Sequence, residues 1–346
     1  MVSDHVRGPQ QQTPHTSFPS IVNPGDAPEV DAVSFSSTRQ TTSAVLMVEP
    51  VGFAHNPDSA RTNAFMRDGA GRNPGEIQAS ALREFEGLAE RLEDERVQVL
   101  VYRDDVDSPS PDAIFPNNWV TFHEDGRAIL YPMEPANRRR ERRREILDWL
   151  SGAENFRLHE VIDLSPHEAE GRFLEGTGSL VLDRPGRTVY ASISPRTTES
   201  LLREYGDRFG FRVVSFHAVD RTGIPVYHTN VALALGTGVA VLCGEAVRDL
   251  GERRALIESL ENGGREVLEI DMDQLSAFAG NMLALENREG DPLLAMSERA
   301  FSSLSPAQRH RLERRGRLVW SPIPTIEELG GGSVRCMLAE VFLPRG

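Results

Sequence analysis

The sequence predicts an α/β fold of five repeated units that close into a ring, and three observations predict it. Short apolar runs alternate with amphipathic stretches from Val45 onward, the pattern of strands and helices in turn. A small polar turn followed by a hairpin recurs at 116–133, 175–193, 227–247 and 279–300, and begins again at 331–342. The spacing is regular: Asn118, Gly178, Asn230, Asn281 and Arg335 stand at equivalent points, 60, 52, 51 and 54 residues apart. Self-similarity at such a period marks units that cannot bury their apolar faces alone.

The elements follow in order. Residues 1–43 are rich in Ser, Thr, Gln and Pro and read as a disordered tail. One catalytic-size domain then spans 44–346. Its first strand is 45–48, followed by a helix near 76–93. Each later hairpin is followed by a helix, at 137–150, 197–208, 249–262 and 305–315, and then by an edge strand such as 212–214 or 267–270. The fifth unit is split. Its first strand lies at the C-terminus, in the copy that begins at 331–342, and its partner is 45–48, so the ring closes where the two ends of the domain pair. The starts of all five hairpins then converge on one axial pocket.

Composition narrows the chemistry. With 346 residues, 39% of them hydrophobic, the chain can bury a sizeable core. A formal charge of −14 disfavours nucleic acid and anionic membrane as partners. No apolar run reaches membrane-span length, and the first residues lack the apolar stretch of a secretory signal. Two cysteines allow at most one disulfide, so a cytoplasmic location is expected. All 38 Lys and Arg residues are arginine. That excludes Schiff-base chemistry and the phosphate-loop lysine. No HExxH or CxxC pattern occurs, so neither metal nor cofactor is expected.

The most informative segment is GGGSVRCM at 330–337. Three glycines let the backbone turn sharply and approach a ligand. Cys336 sits just beyond them, where a thiol can reach a bound carbon atom. A lone cysteine is ordinarily an inert core residue, and Cys243, in mid-strand, is read that way. The glycine run and the adjacent Arg335 favour a nucleophile at Cys336.

Four motifs in order, FPNN at 115–118, EGTG at 175–178, YHTN at 227–230 and GGGSVRCM at 330–337, resemble the guanidino-modifying superfamily. That group contains arginine deiminases, dimethylarginine hydrolases and amidinotransferases. The resemblance covers roughly 44–345, and the wording is most similar to citrulline-utilisation hydrolases. It implies a five-bladed, pseudo-symmetric α/β propeller of ββαβ units. It implies a metal-free thiol mechanism on a small amino-acid substrate, and it allows a homodimer. His228 falls where the family has its general acid/base. Glu175, at the start of the second hairpin, would orient His228 or bond the substrate nitrogens. Arg138 and Arg196 match positions where dimethylarginine hydrolases hold the substrate α-carboxylate, and Asp112 would receive the α-amino group. The ordinary alternatives are a solvated helix face for Arg138 and a turn cap for Asp112.

Asn118 and Asn230 depart from the arginine deiminase pattern, which has aspartates there. A cationic guanidinium favours carboxylates. A neutral ureido group favours amides, which both donate and accept. The expected reaction is therefore hydrolysis of the terminal C–N bond of citrulline, to ornithine, ammonia and carbon dioxide. Arginine hydrolysis, amidino transfer, and a catalytically silent binding protein are the alternatives.

Overall fold

The computed structural model describes residues 21–22 and 38–346. The tail expected at 1–43 lies largely outside the described residues. Within its described part, Ile21–Val22 runs parallel to Val161 and Ile162. Thr42 Oγ1 donates to the Val341 carbonyl at 2.8 Å, and Gln40 Nε2 donates to the Leu182 carbonyl at 2.9 Å.

Five small mixed sheets make up the described chain. Each has an antiparallel pair and a third strand added in parallel after a helix. The first contains Val120–Phe122, Arg127–Leu130 and Glu160–Asp163. The second contains Val181–Asp183, Thr188–Ser192 and Arg212–Phe216. Leu233–Gly236, Val239–Leu242 and Glu266–Glu269 form the third. Leu283–Glu286, Pro292–Ser297 and Arg317–Ser321 form the fourth. The fifth joins Ala339–Glu340, antiparallel, to Ala44–Glu49, with Gln98–Arg103 parallel beyond it. Ala339 faces Leu46 across that junction.

Strands buried on both faces read as continuous apolar runs, and Ala44–Glu49 shows why. Val45 and Met47 pack with Phe85, Leu88 and Leu92 of the helix Pro74–Asp94. Leu46 and Val48 face the other way, onto Trp119 and Val120 of the first unit. Each such side chain contributes about 1.5–3 kcal/mol of burial. The helix itself begins at a built cap: Asn73 accepts from the N–H groups of Gly75 and Glu76, with Pro74 in the first turn.

The helix expected over 137–150 is instead two pieces. A 3₁₀ segment, Ala136–Glu141, precedes the α-helix Arg144–Gly152. The physical reason is Arg138, which turns inward and is buried against Glu141. None of the helices among the described residues is long and apolar enough to cross a membrane.

In four of the five units the small polar turn that opens the hairpin is a short helical turn. These are Pro116–Asn118, Gly176–Ser179, Thr229–Ala232 and Val334–Met337. The leading segments touch in succession. Thr177 Oγ1 donates to the Asn117 carbonyl at 3.4 Å, and Thr229 Oγ1 to the Ser179 carbonyl at 2.6 Å. Asn281 Nδ2 donates to the Asn230 carbonyl at 2.9 Å and Oδ1 accepts from the Arg335 N–H at 3.1 Å. The fifth segment returns to the first, because a Cβ on Gly332 would stand 3.0 Å from the Phe115 ring.

Candidate active site

Those leading segments carry five of the candidate residues, Asn118, Glu175, His228, Asn230 and Cys336, while Asp112, Arg138 and Arg196 come from connections beside them. Cys336, His228, Glu175, Asn118, Asn230, Arg138, Arg196 and Asp112 are all buried.

Cys336 sits in the turn Val334–Met337. Asn230 Nδ2 lies 3.6 Å from its sulfur and Asn281 Nδ2 lies 3.4 Å away. Arg335 was expected to supply positive field to the thiol, but its guanidinium is engaged elsewhere. It donates to the Leu338 carbonyl at 2.9 Å and to Glu340 at 2.6 Å. Only its backbone N–H reaches the site, through Asn281. Cys243 is a core residue, its sulfur 3.5 Å from that of Met272 and its thiol pushed up to about 11 by burial.

His228 precedes the turn Thr229–Ala232 in extended conformation. Its Nε2 pairs with Glu175 Oε2 at 2.8 Å. A carboxylate only accepts, so Nε2 carries the proton and the neutral ring keeps a lone pair on Nδ1. That Nδ1 is buried without a partner. Burial pushes the imidazole down to about 4, against the pull of Glu175. Burial would also raise the Glu175 carboxyl. Arg196, His228 and Arg138 together outweigh it and hold the group down at about 2. Gly178 makes room for this arrangement. A Cβ there would stand 2.7 Å from the imidazole and 2.6 Å from Asn118 Nδ2.

The two arginines are not open forks in this form. Arg138 holds Glu141 through Nη2 at 2.8 Å and Nε at 3.0 Å, and lies 3.4 Å from Asp112. Its Nη1 donates to Asn118 Oδ1 at 3.0 Å. Arg196 donates to Thr62 Oγ1 at 3.0 Å and to the Ser59 carbonyl at 2.8 Å, with Glu175 at 3.5 Å. Its guanidinium lies 5.0 Å from the centroid of the Tyr227 ring. Asp112 Oδ2 accepts from Ser59 Oγ at 2.5 Å and Asn56 Nδ2 at 2.8 Å, while Oδ1 is buried without a partner.

Residues 56–66 therefore lie over the site. Asn63 Nδ2 and the Tyr227 hydroxyl both donate to the Gly331 carbonyl, at 3.1 and 2.5 Å. Phe65 sits edge-on to Tyr227 at 6.0 Å. A cavity of about 540 Å³ flanks this cover, lined by Phe65, Phe278, Arg299 and Glu327 among others, and it does not include Cys336 or His228. Among the described residues, no group of three or more His, Cys, Asp or Glu is arranged to hold a metal ion.

Asn281 and Asn117 escaped the sequence reading as site residues. The signal for Asn281 was its place as the fourth member of the repeat series. Asn117 was passed over for its neighbour in the same Asn-Asn pair.

A sequence profile of the N,N-dimethylarginine dimethylhydrolase family (eukaryotic) matches residues 49–343. The chain belongs to the dimethylarginine dimethylhydrolase family. It is thus homologous to hydrolases that act on C–N bonds in arginine-type substrates. No curated protein matches it in sequence. Solved structures share the α/β fold at low identity. Cyanobacterial ArgZ, an arginine dihydrolase of the ornithine-ammonia cycle, superposes with a TM-score of 0.66 at 18% identity, over 88% of this chain and 41% of ArgZ. AgrE in complex with ornithine and NAD+ gives 0.67 at 20% identity, over 88% of this chain and 40% of AgrE. A dimethylarginine dimethylaminohydrolase variant bearing an S-methyl-L-thiocitrulline adduct gives 0.56 at 17% identity, over 86% of this chain and 98% of that one. The chain thus spans about two fifths of ArgZ and AgrE.

Proposed function

We propose that the protein hydrolyses the terminal ureido C–N bond of citrulline through a covalent adduct on Cys336. The five units act as blades of a propeller, with the site at its hub. The substrate α-carboxylate binds Arg138 and Arg196, the latter once residues 56–66 lift from it, and the α-ammonium binds Asp112 Oδ1.

Cys336 Sγ attacks the ureido carbon. The thiol proton passes by way of His228 Nδ1 to the departing nitrogen, so ammonia leaves and an S-thiocarbamate remains. Water then adds to that carbon, with His228 taking its proton. The C–S bond breaks, the sulfur recovers a proton, and the N-carbamate of ornithine is released. Loss of carbon dioxide from the carbamate gives ornithine.

One observation carries the choice of a ureido substrate. An arginine only donates, so Arg138 Nη1 fixes Asn118 with Oδ1 towards it. Asn118 Nδ2 must then donate to Asn117 Oδ1, at 2.9 Å. This leaves Asn117 Nδ2 buried with no acceptor. A buried donor left unmet costs about 1–3 kcal/mol. A ureido carbonyl supplies the missing acceptor, whereas a guanidinium brings only donors.

A second reading is that arginine is also consumed. The Glu175 carboxylate beside the site favours a cation, and AgrE binds L-arginine. The test is a substrate panel of citrulline, arginine and methylated arginines, scored for ammonia and ornithine. Ornithine from citrulline, abolished by Cys336→Ala, supports the proposal. Normal ammonia release by that variant removes Cys336 as nucleophile. Turnover of arginine but not citrulline would leave the second reading in its place.

A further inference from the structure

We propose that Asn281, together with Asn230, forms a two-amide cradle that stabilises the thiolate of Cys336 as the thiol gives up its proton. The proposal rests on the reading of Cys336 as nucleophile. It adds a residue from the fourth unit that contributes neither acid nor base.

The orientation of the Asn281 amide follows from its neighbours. The Arg335 backbone N–H can only donate, and it meets Asn281 Oδ1 at 3.1 Å. Nδ2 therefore faces the other way, with two hydrogens to place. One goes to the Asn230 carbonyl at 2.9 Å, and the other to Cys336 Sγ at 3.4 Å. Asn230 approaches the same sulfur from the third unit. In both amides the nitrogen is nearer to sulfur than the oxygen, 3.4 against 3.7 Å for Asn281 and 3.6 against 3.9 Å for Asn230. Two N–H groups aimed at one sulfur favour its anionic form, because a hydrogen bond to a charged acceptor is stronger than one to a neutral acceptor.

The other groups around the sulfur do not supply this. His228 Nε2 is held by Glu175. The Arg335 guanidinium is neutralised by Glu340. Tyr227 is neutral, its hydroxyl held on the Gly331 carbonyl. Glu327 is tied to Ser333 at 2.6 Å, behind the turn that carries Cys336. Asn281 is fully buried and spans three units, so it fixes the sulfur's position as well as its charge.

The experiment measures alkylation of Cys336 by iodoacetamide against pH, quantified on the Cys336 peptide. Only the thiolate reacts. Cys243 is buried with its thiol pushed up to about 11, and serves as a silent internal reference. Asn281→Ala removes the donor, and the alkylation midpoint rises by about one pH unit, a tenfold loss of rate at neutral pH. Asn281→Asp keeps the shape and the acceptor for the Arg335 N–H, but sets a carboxylate against the sulfur. Its midpoint rises further. His228→Asn leaves the midpoint where it is. Unmoved midpoints in both Asn281 variants overturn the cradle, and so does a shift in His228→Asn as large as that in Asn281→Ala. If Asn281→Ala does not fold, Asn281→Asp decides alone. Failure here leaves the nucleophile assignment standing, since that assignment is judged by turnover in Cys336→Ala.

Discussion

The His228 Nε2–H donates to Glu175 Oε2 at 2.8 Å, and this single contact leaves Nδ1 as the imidazole's unprotonated nitrogen. The carboxylate selects the tautomer and also counters the burial that depresses the ring. Both roles need an ionised acceptor, which Arg196 and Arg138 maintain.

Glu175→Gln should therefore cripple turnover without unfolding the protein. An amide can donate to Nε2 as well as accept from it, so the tautomer is no longer enforced. We expect kcat for ammonia release to fall about 10²–10⁴-fold, the usual range for a mispositioned acid/base. Circular dichroism should be unchanged. Activity within threefold of the parent would remove Glu175 from the mechanism.

The same pair predicts acid sensitivity. Free His228 titrates near 6.5 and the folded residue near about 4. Between those values the unfolded chain binds the extra proton, so folding stability declines as pH falls through this window. Glu175 adds a second decline between its ordinary value of 4.5 and about 2. At most about 1.4 kcal/mol is lost per pH unit per group. Melting temperatures from pH 7.5 to 4 check this against His228→Asn, which should lose the slope above pH 4.5. Equal slopes in the two proteins would contradict it.

Gly178→Ala tests the close packing around His228 and Asn118. The added methyl collides with both the His228 ring and the Asn118 amide. Displacements of this size at a catalytic group cost about 10²-fold in rate. Turnover should collapse while Cys336 stays alkylatable. Full activity would mean that neither side chain is held where the mechanism needs it.

The repeat made most of the architecture legible. Apolar runs at a regular interval located the hairpins, and the split fifth unit was readable because a fifth copy of the turn begins at 331–342, with only its first strand left in the chain. Within the run RRRERRR charge alone reads as solvated surface, and only the family resemblance singled out Arg138; its ion pair with Glu141, three residues on, is what buries it. The residues that the structure brings together around Cys336 and His228 were legible wherever a motif carried them. Asn281 was not, because an asparagine at the start of a hairpin satisfies turn backbone just as well. Its contact with the sulfur depends on a neighbour 55 residues away. Nor could sequence order reveal that Arg196 would be occupied by Ser59 and Thr62.

The pairing of Ala339 with Leu46 has a consequence for biosynthesis. Almost three hundred residues must leave the ribosome between the two halves of that sheet, and a contact so distant along the chain forms late. The turn bearing the sulfur, Val334–Met337, immediately precedes the strand Ala339–Glu340 of that sheet. Nascent chains therefore carry Asn118, Glu175, His228 and Asn281 before they carry Cys336, and a chain truncated ahead of it lacks the proposed nucleophile.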